Sequence, residues 1–196
     1  MVSYRLGRHG FAAEGAMGRE GTEVLFSEET IRKRVGELAR QISSDYSRDG
    51  ELLLVGVLRG CYIFLADLSR RLTIPGSIDF VALSSYESGT TAAGPVRLVM
   101  DLRTDIAGRH VLIVEDIVDT GGTLDYLLSV LRPRNPASLK TCAFLRKPAR
   151  LVKDLPVDYV GFDIPDVWVV GYGLDFKGRY RALSDIGIIA TPPAAR

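Results

Sequence analysis

Cysteine is scarce in this 196-residue chain: Cys61 and Cys142 are the only two. So small a number excludes a disulfide framework, and their separation excludes a cysteine-built metal site. Both lie in apolar runs, which predicts buried, reduced core thiols. No apolar stretch approaches the ~18 residues that a membrane-spanning helix needs. The first residues lack the apolar centre of a secretory signal. A cytoplasmic location, with no membrane contact, is the expectation. An excess of charge is missing too: 25 Lys and Arg face 24 Asp and Glu, a net of +1. No whole-chain field therefore draws the protein to nucleic acid or anionic lipid, and any anion binding has to be local. A G-x-G-x-x-G fingerprint and a Walker lysine are also absent, which argues against a dinucleotide binder and a P-loop nucleotidase.

What is present is ordinary for one globular domain: 46% hydrophobic and 25% charged residues, enough to bury a real core. Residues 1–22 are rich in Gly, Ala and charge without a sustained period and read as a flexible N-terminal tail. In "SEETIRKRVGELARQISSDY", Ser27 is placed to cap a helix whose first turn carries acids. Ile31, Val35, Leu38 and Ile42 recur on one face of it. "LLLVGV" (52–57) reads as a strand covered on both faces, and "CYIFLADLSRRL" (61–72) as the next helix. Further strands are expected at "IDFVAL" (78–83), "VRLVMDL" (96–102), "VLIVEDI" (111–117), "LKTCAFL" (139–145) and "VWVVG" (167–171). "GTLDYLLSVLRP" (122–133) reads as a helix ended by Pro133. Strands alternating with helices predict an α/β fold on a mostly parallel sheet. The stretch 84–95, polar and Gly-bearing, is either a passive hairpin loop or a mobile lid.

The chemistry concentrates in "VLIVEDIVDTGGTL", residues 111–124. Ligands of parallel α/β sheets bind at the C-terminal strand ends, where Glu115 and Asp116 fall. Thr120, Gly121, Gly122 and Thr123 then turn into the next helix. Unpaired amides and the helix dipole favour a phosphate there, glycines let it approach the backbone, and hydroxyls add donors. Carboxylates repel phosphate, but they accept hydrogen bonds from sugar hydroxyls and can hold Mg²⁺. A sugar phosphate satisfies both halves. The plain structural alternative is an acid-capped strand–turn–helix.

This stretch resembles the phosphoribosyl pyrophosphate (PRPP) binding motif of the type I phosphoribosyltransferases, and its Glu-Asp pair with Asp-Thr-Gly resembles the 6-oxopurine branch acting on hypoxanthine and guanine. The resemblance covers roughly residues 25–189. It implies the family's fold: a central, mostly parallel sheet flanked by helices, with a small hood formed by terminal segments. Residues 23–190 would be one domain with its hood, and 191–196 a C-terminal tail. It also implies Mg²⁺-dependent transfer of phosphoribose from PRPP to hypoxanthine or guanine, giving IMP or GMP and pyrophosphate.

The same resemblance assigns roles. Asp119 would be general base or proton relay at purine N7, and with Thr120, Gly121, Gly122 and Thr123 would hold the 5′-phosphate side. Glu115 and Asp116 would take the ribose hydroxyls. "VGVLRGCYIF" looks like the pyrophosphate loop, centred on Leu58, Arg59 and Gly60, with a peptide bond after the Leu that can be cis. Many members carry Lys where this chain has Arg59. Arg181 would also reach pyrophosphate, and Ser85 and Tyr86 would edge a closing lid. Lys147 in "FLRKPAR" matches the residue that contacts the purine 6-oxygen, where a cation favours an oxo over an amino group. Trp168 would stack on the purine in place of the commoner Phe or Tyr, and Val169 would offer backbone groups to the base. Asp175 would lie near the base edge. Glu115, Asp116 and Asp175 would be the metal ligands. Relatives form dimers or tetramers, so a homodimer or homotetramer is implied.

Competing readings are a regulator of the same fold that binds RNA or DNA, an enzyme preferring xanthine or a pyrimidine, and a dinucleotide or flavin binder. The ~25-residue segment before the first helix is too short for an added DNA-binding module, and no basic face stands out.

Overall fold

The computed structural model of the chain describes residues 22–48, 50–85, 96–152 and 155–189. A short strand β1 (Glu23–Phe26) leads into helix α1 (Glu28–Asp45). Ser27 caps that helix, its side chain accepting from the Thr30 amide at 3.3 Å. There follow β2 (Leu52–Leu58), α2 (Tyr62–Ser69), β3 (Gly76–Ser85), β4 (Val96–Met100) and β5 (His110–Val118). The chain continues with α3 (Gly122–Leu131), β6 (Ser138–Arg146), β7 (Tyr159–Asp163), β8 (Val169–Val170) and β9 (Ile186–Ile188). The expected α/β fold is present.

Six strands form one sheet in the order β4-β3-β2-β5-β6-β7, parallel except for the β3–β4 hairpin at one edge. From β2 the chain winds outward in one direction through β3, and from β5 in the other through β6 and β7. Between β2 and β5, therefore, lies the switch point at which open α/β sheets form their ligand crevice. Side chains of these two strands alternate between two cores. Leu52, Leu54, Leu112 and Val114 face the layer under α1 and α2, while Leu53, Val55, Val111 and Ile113 face α3. Both faces are covered, which explains why the strands read as unbroken apolar runs. Each fully buried Leu, Ile or Val contributes about 1.5–3 kcal/mol of apolar transfer.

β1, β9 and β8 form a second, antiparallel sheet of three strands from the two ends of the domain, the hood that the resemblance implied. Phe144 on β6 locks the hood to the main core. Its ring lies 4.9 Å from Phe64, 5.5 Å from Phe162 and 5.0 Å from Tyr172. Phe162 in turn stacks on Phe26 of β1 at 4.1 Å. Cys61 and Cys142 are free and buried, as expected.

Several boundaries differ from the sequence reading. The expected helix 61–72 ends at Ser69, where the backbone tightens: both Arg71 and Leu72 donate to the Leu68 carbonyl. The expected strand 167–171 is ordered as a strand only at Val169–Val170, because Val167 turns back onto Pro165 and Gly171 takes a left-handed φ of 97°. β1, β7 and β9 were not expected at all. Tyr86, expected at the edge of a lid, the N-terminal tail apart from Thr22, and the C-terminal tail lie outside the described residues. No helix among the described residues is long and apolar enough to cross a membrane.

Phe144 bridges two sheets from a fully enclosed position, so Phe144→Ala should cost about 3–5 kcal/mol of unfolding free energy, read by urea denaturation. A loss below about 1 kcal/mol would show that the hood is not packed on the core through this ring.

Candidate active site

The C-terminal ends of β2 and β5 open into one cleft of about 360 Å³. Parallel pairing of Val55 with Ile113 and Gly56 with Val114 brings the two following turns side by side. From β2 come Leu58, Arg59 and Gly60, with a cis peptide bond between Leu58 and Arg59. From β5 come Glu115, Asp116 and Asp119, followed by Gly121 and Thr123. Asp175 and Arg181, from the segment between β8 and β9, close a third side. Ten residues singled out in the sequence thus line one cavity. Ser85 ends β3, opposite Val96.

The 120–123 turn is shaped for an anion. Gly121 precedes α3 with a left-handed φ of 86°, a conformation that costs an L side chain but not glycine. The Thr120 hydroxyl accepts from the Gly122 amide at 3.4 Å. The amides of Gly121 and Thr123 have no protein acceptor among the described residues. They sit at the start of a ten-residue helix, where the dipole favours negative charge.

Beneath this turn the cleft floor is acidic. Glu115 is buried and Asp116 partly so, and neither is ion-paired among the described residues. Burial, reinforced by the neighbouring Asp116 charge, pushes the Glu115 carboxyl well above the usual range. Burial also raises Asp116 to about 6, against the opposing hydrogen bond from the Ile117 amide and the Arg181 charge. Gly60 packs directly on Asp116: a methyl group at Gly60 would collide with that carboxylate. A side chain at 60 would therefore have to displace that carboxyl from the floor. Asp175 is ion-paired to Arg181 and accepts from the Gly178 amide at 2.8 Å. Arg181 also donates to the Gly173 carbonyl at 2.6 Å.

Lys147 and Trp168 stand beside the cleft, around Asp119. The Lys147 amide donates to the Val118 carbonyl at 2.9 Å, so the end of β6 is stitched to the end of β5. The Lys147 ammonium is buried, 3.2 Å from Asp119 and 3.5 Å from Asp166. It lies 5.9 Å from the centre of the Trp168 ring, within cation–π range. Trp168 is 57% exposed, so it is not a core aromatic. β8 is an edge strand, and the Trp168 carbonyl accepts from the Ile189 amide at 3.0 Å. By alternation, the backbone groups of Val169 point to the free edge. Arg150 also ion-pairs with Asp119, and contacts Asp166 at 3.3 Å. Sequence reading missed Arg150 and Asp166. The signal was the "KPAR" turn, in which Pro148 starts one 3₁₀ turn and so brings 147 and 150 onto one side.

Comparison with known proteins agrees with this geometry. A family model described as the phosphoribosyl transferase domain matches residues 22–177. The chain belongs to the phosphoribosyltransferase family. This phosphoribosyltransferase is 49% identical, over 84% of its length and 93% of the relative's, to a hypoxanthine-guanine phosphoribosyltransferase of Dictyostelium discoideum. It is 48% identical to a hypoxanthine phosphoribosyltransferase of Salmonella typhimurium, over 84% of the chain and 93% of the relative. Among solved structures it is similar to a hypoxanthine-guanine phosphoribosyltransferase from Bacillus anthracis, with a TM-score of 0.81, 41% identity, and coverage of 85% and 98%. The Trypanosoma cruzi hypoxanthine phosphoribosyltransferase in complex with its product IMP gives a TM-score of 0.81 at 43% identity, covering 87% of this chain and 96% of that one.

The raised Asp116 carboxyl sets a pH test on the ligand-free phosphoribosyltransferase. Its folded pKa of about 6 exceeds the ordinary value of 3.8, so the folded state holds the proton longer. Folding is then undisturbed by this group below about pH 4 and loses stability as pH rises through about 6. Asp116→Asn should remove that penalty. It should raise unfolding free energy by roughly 1–3 kcal/mol at pH 8 and by almost nothing at pH 4. Equal stability of the two proteins at pH 8 would contradict the buried-charge account.

Proposed function

We infer that the protein transfers the 5-phosphoribosyl group of PRPP to N9 of hypoxanthine or guanine, giving IMP or GMP and pyrophosphate. It is a pentosyltransferase of purine salvage. The observation that carries this reading is the pairing, at one switch point, of an amide-lined turn at 120–123 with a buried carboxyl at 115 and a partly buried one at 116. An anion and hydroxyl groups on one ligand match those two halves.

In this reading the Gly121 and Thr123 amides hold the 5′-phosphate and the Thr120 and Thr123 hydroxyls add donors. Glu115 and Asp116 accept from the 2- and 3-hydroxyls of the ribose. Leu58, Arg59 and Gly60 cradle the pyrophosphate, to which Arg181 turns from its Asp175 pairing. Arg59 is exposed at the cleft rim and, as a planar fork, can take two phosphate oxygens where a lysine takes one. The base lies on Trp168, with Lys147 on its 6-oxygen and the Val169 backbone groups at its edge. The bond from C1 to pyrophosphate breaks, N9 bonds to C1, and the N7 proton passes to Asp119. An oxocarbenium-like transition state asks mainly for positioning and electrostatics.

Mg²⁺ belongs to the same reading. Among the described residues no three acids, histidines or cysteines converge on a metal position. Glu115, Asp116 and Asp175 thus do not form a ready three-ligand cage. Oxygen donors, with Glu115 and Asp116 in no ion pair among the described residues, still suit Mg²⁺, which takes one or two carboxylates and completes its shell with phosphate oxygens and water. Bound there, it would offset the charge of the leaving pyrophosphate. Ser85 and Tyr86 border the lid in this account, and the enzyme acts in the cytoplasm as a homodimer or homotetramer, without nucleic-acid or membrane partners.

A spectrophotometric assay with PRPP and Mg²⁺ against hypoxanthine, guanine, xanthine and adenine tests it. Turnover is expected with the first two and none with adenine. Asp119→Asn should lower kcat by on the order of 10²–10⁴ while leaving the fold intact. Unchanged kcat would reject the role of Asp119.

A further inference from the structure

Four charged side chains around Asp119 close into a ring of alternating sign. Lys147 bridges Asp119 Oδ2 at 3.2 Å and Asp166 Oδ1 at 3.5 Å. Arg150 bridges the other oxygen of Asp119, through Nε, and Asp166 through Nη1 at 3.3 Å. The two cations come from one turn. The Arg150 amide donates to the Lys147 carbonyl at 3.0 Å, and 3₁₀ geometry eclipses residues three apart. The turn is also pinned on both sides. Lys147 N donates to Val118 O, and two residues after Arg150 the Val152 amide donates to Thr120 O at 3.2 Å.

Each oxygen of Asp119 is therefore engaged by one cation. A base needs one of them open, and the two cations are not equivalent. Lys147 is a point charge on a flexible stem, and the proposed 6-oxygen of the purine draws it away. Arg150 is a planar fork that also meets Asp166 along its far edge, and the purine reading gives it no substrate contact to draw it away. We propose that Arg150, anchored by Asp166, is a positioning residue that grips one oxygen of Asp119 and so presents the other to the N7–H of the incoming purine. This rests on the purine reading above. It adds a reason for the order of events: arrival of the 6-oxo group releases Lys147 and thereby uncovers the oxygen that receives the N7 proton. A 6-oxo purine is then selected twice, by its contact with Lys147 and by exposing Asp119.

The test compares wild type, Arg150→Ala, Arg150→Lys and Asp166→Asn. Initial rates are measured with hypoxanthine and PRPP, and binding with hypoxanthine against its 7-deaza analogue, which has carbon in place of N7 and cannot donate there. In Arg150→Ala, kcat/KM for hypoxanthine should fall on the order of 10–100-fold, the range for loss of one charge-assisted hydrogen bond. The KM for PRPP should hold within about twofold, and the preference for hypoxanthine over the 7-deaza analogue should shrink by a similar factor. Added guanidinium should restore part of the rate. Arg150→Lys should be intermediate, and Asp166→Asn should move the same quantities less. If Arg150→Ala keeps its N7 preference, or loses PRPP and hypoxanthine affinity together with thermal stability, Arg150 is structural and the proposal is overturned. Absence of any transfer by wild type would instead overturn the purine reaction, and this inference with it.

Discussion

The site depends on one constraint: β2 and β5 lie side by side, parallel, and in register at Val55–Ile113 and Gly56–Val114. That pairing is hydrogen-bonded through the centre of the sheet and sealed by apolar side chains on both faces. It fixes where two loops from distant parts of the sequence meet. The Leu58–Gly60 loop then lies against the acidic end of β5, with Gly60 so close to Asp116 that a side chain there would displace its carboxyl. Further side chains reach the same region from the next strand end, where β6 delivers Lys147 and the Arg150 turn, and from the hood, which delivers Trp168 and Val169.

Electrostatics sorts the cleft into two halves. The amide-lined turn at the start of α3 favours negative charge, while on the floor burial disfavours the charged forms of Glu115 and Asp116. Carboxyls held this way cost folding free energy, an arrangement expected where function rather than stability chose the residues. By contrast, the charges around Asp119 are paired within the protein, by Lys147 and Arg150.

Much of this was legible in the sequence, for identifiable reasons. The runs at 52–57, 111–117 and 139–145 are central strands covered on both faces, and such strands announce themselves as unbroken apolar stretches. The Thr-Gly-Gly-Thr turn was legible because its chemistry is local: amides, glycines and hydroxyls act within four residues. β1, β7 and β9 were not legible. β1 and β9 are only four and three residues long, and their strand character comes from pairing with each other across the length of the chain. β7 is five residues with a glycine at its centre, where a side chain would meet the Phe144 backbone. Arg150 and Asp166 escaped because an exposed arginine and an exposed aspartate acquire meaning only from their distance to Asp119. Trp168 shows the reverse case. As the only tryptophan it invites a core assignment, and its exposure beside Lys147 is a property of the hood's edge strand.

The most direct measurement of the central claim is a crystal structure of the chain with IMP bound. The account predicts the 5′-phosphate within hydrogen-bonding distance of the Gly121 and Thr123 amides, the ribose hydroxyls on Glu115 and Asp116, and the hypoxanthine ring on Trp168. A phosphate bound elsewhere, with the 120–123 amides turned to protein acceptors, would contradict it.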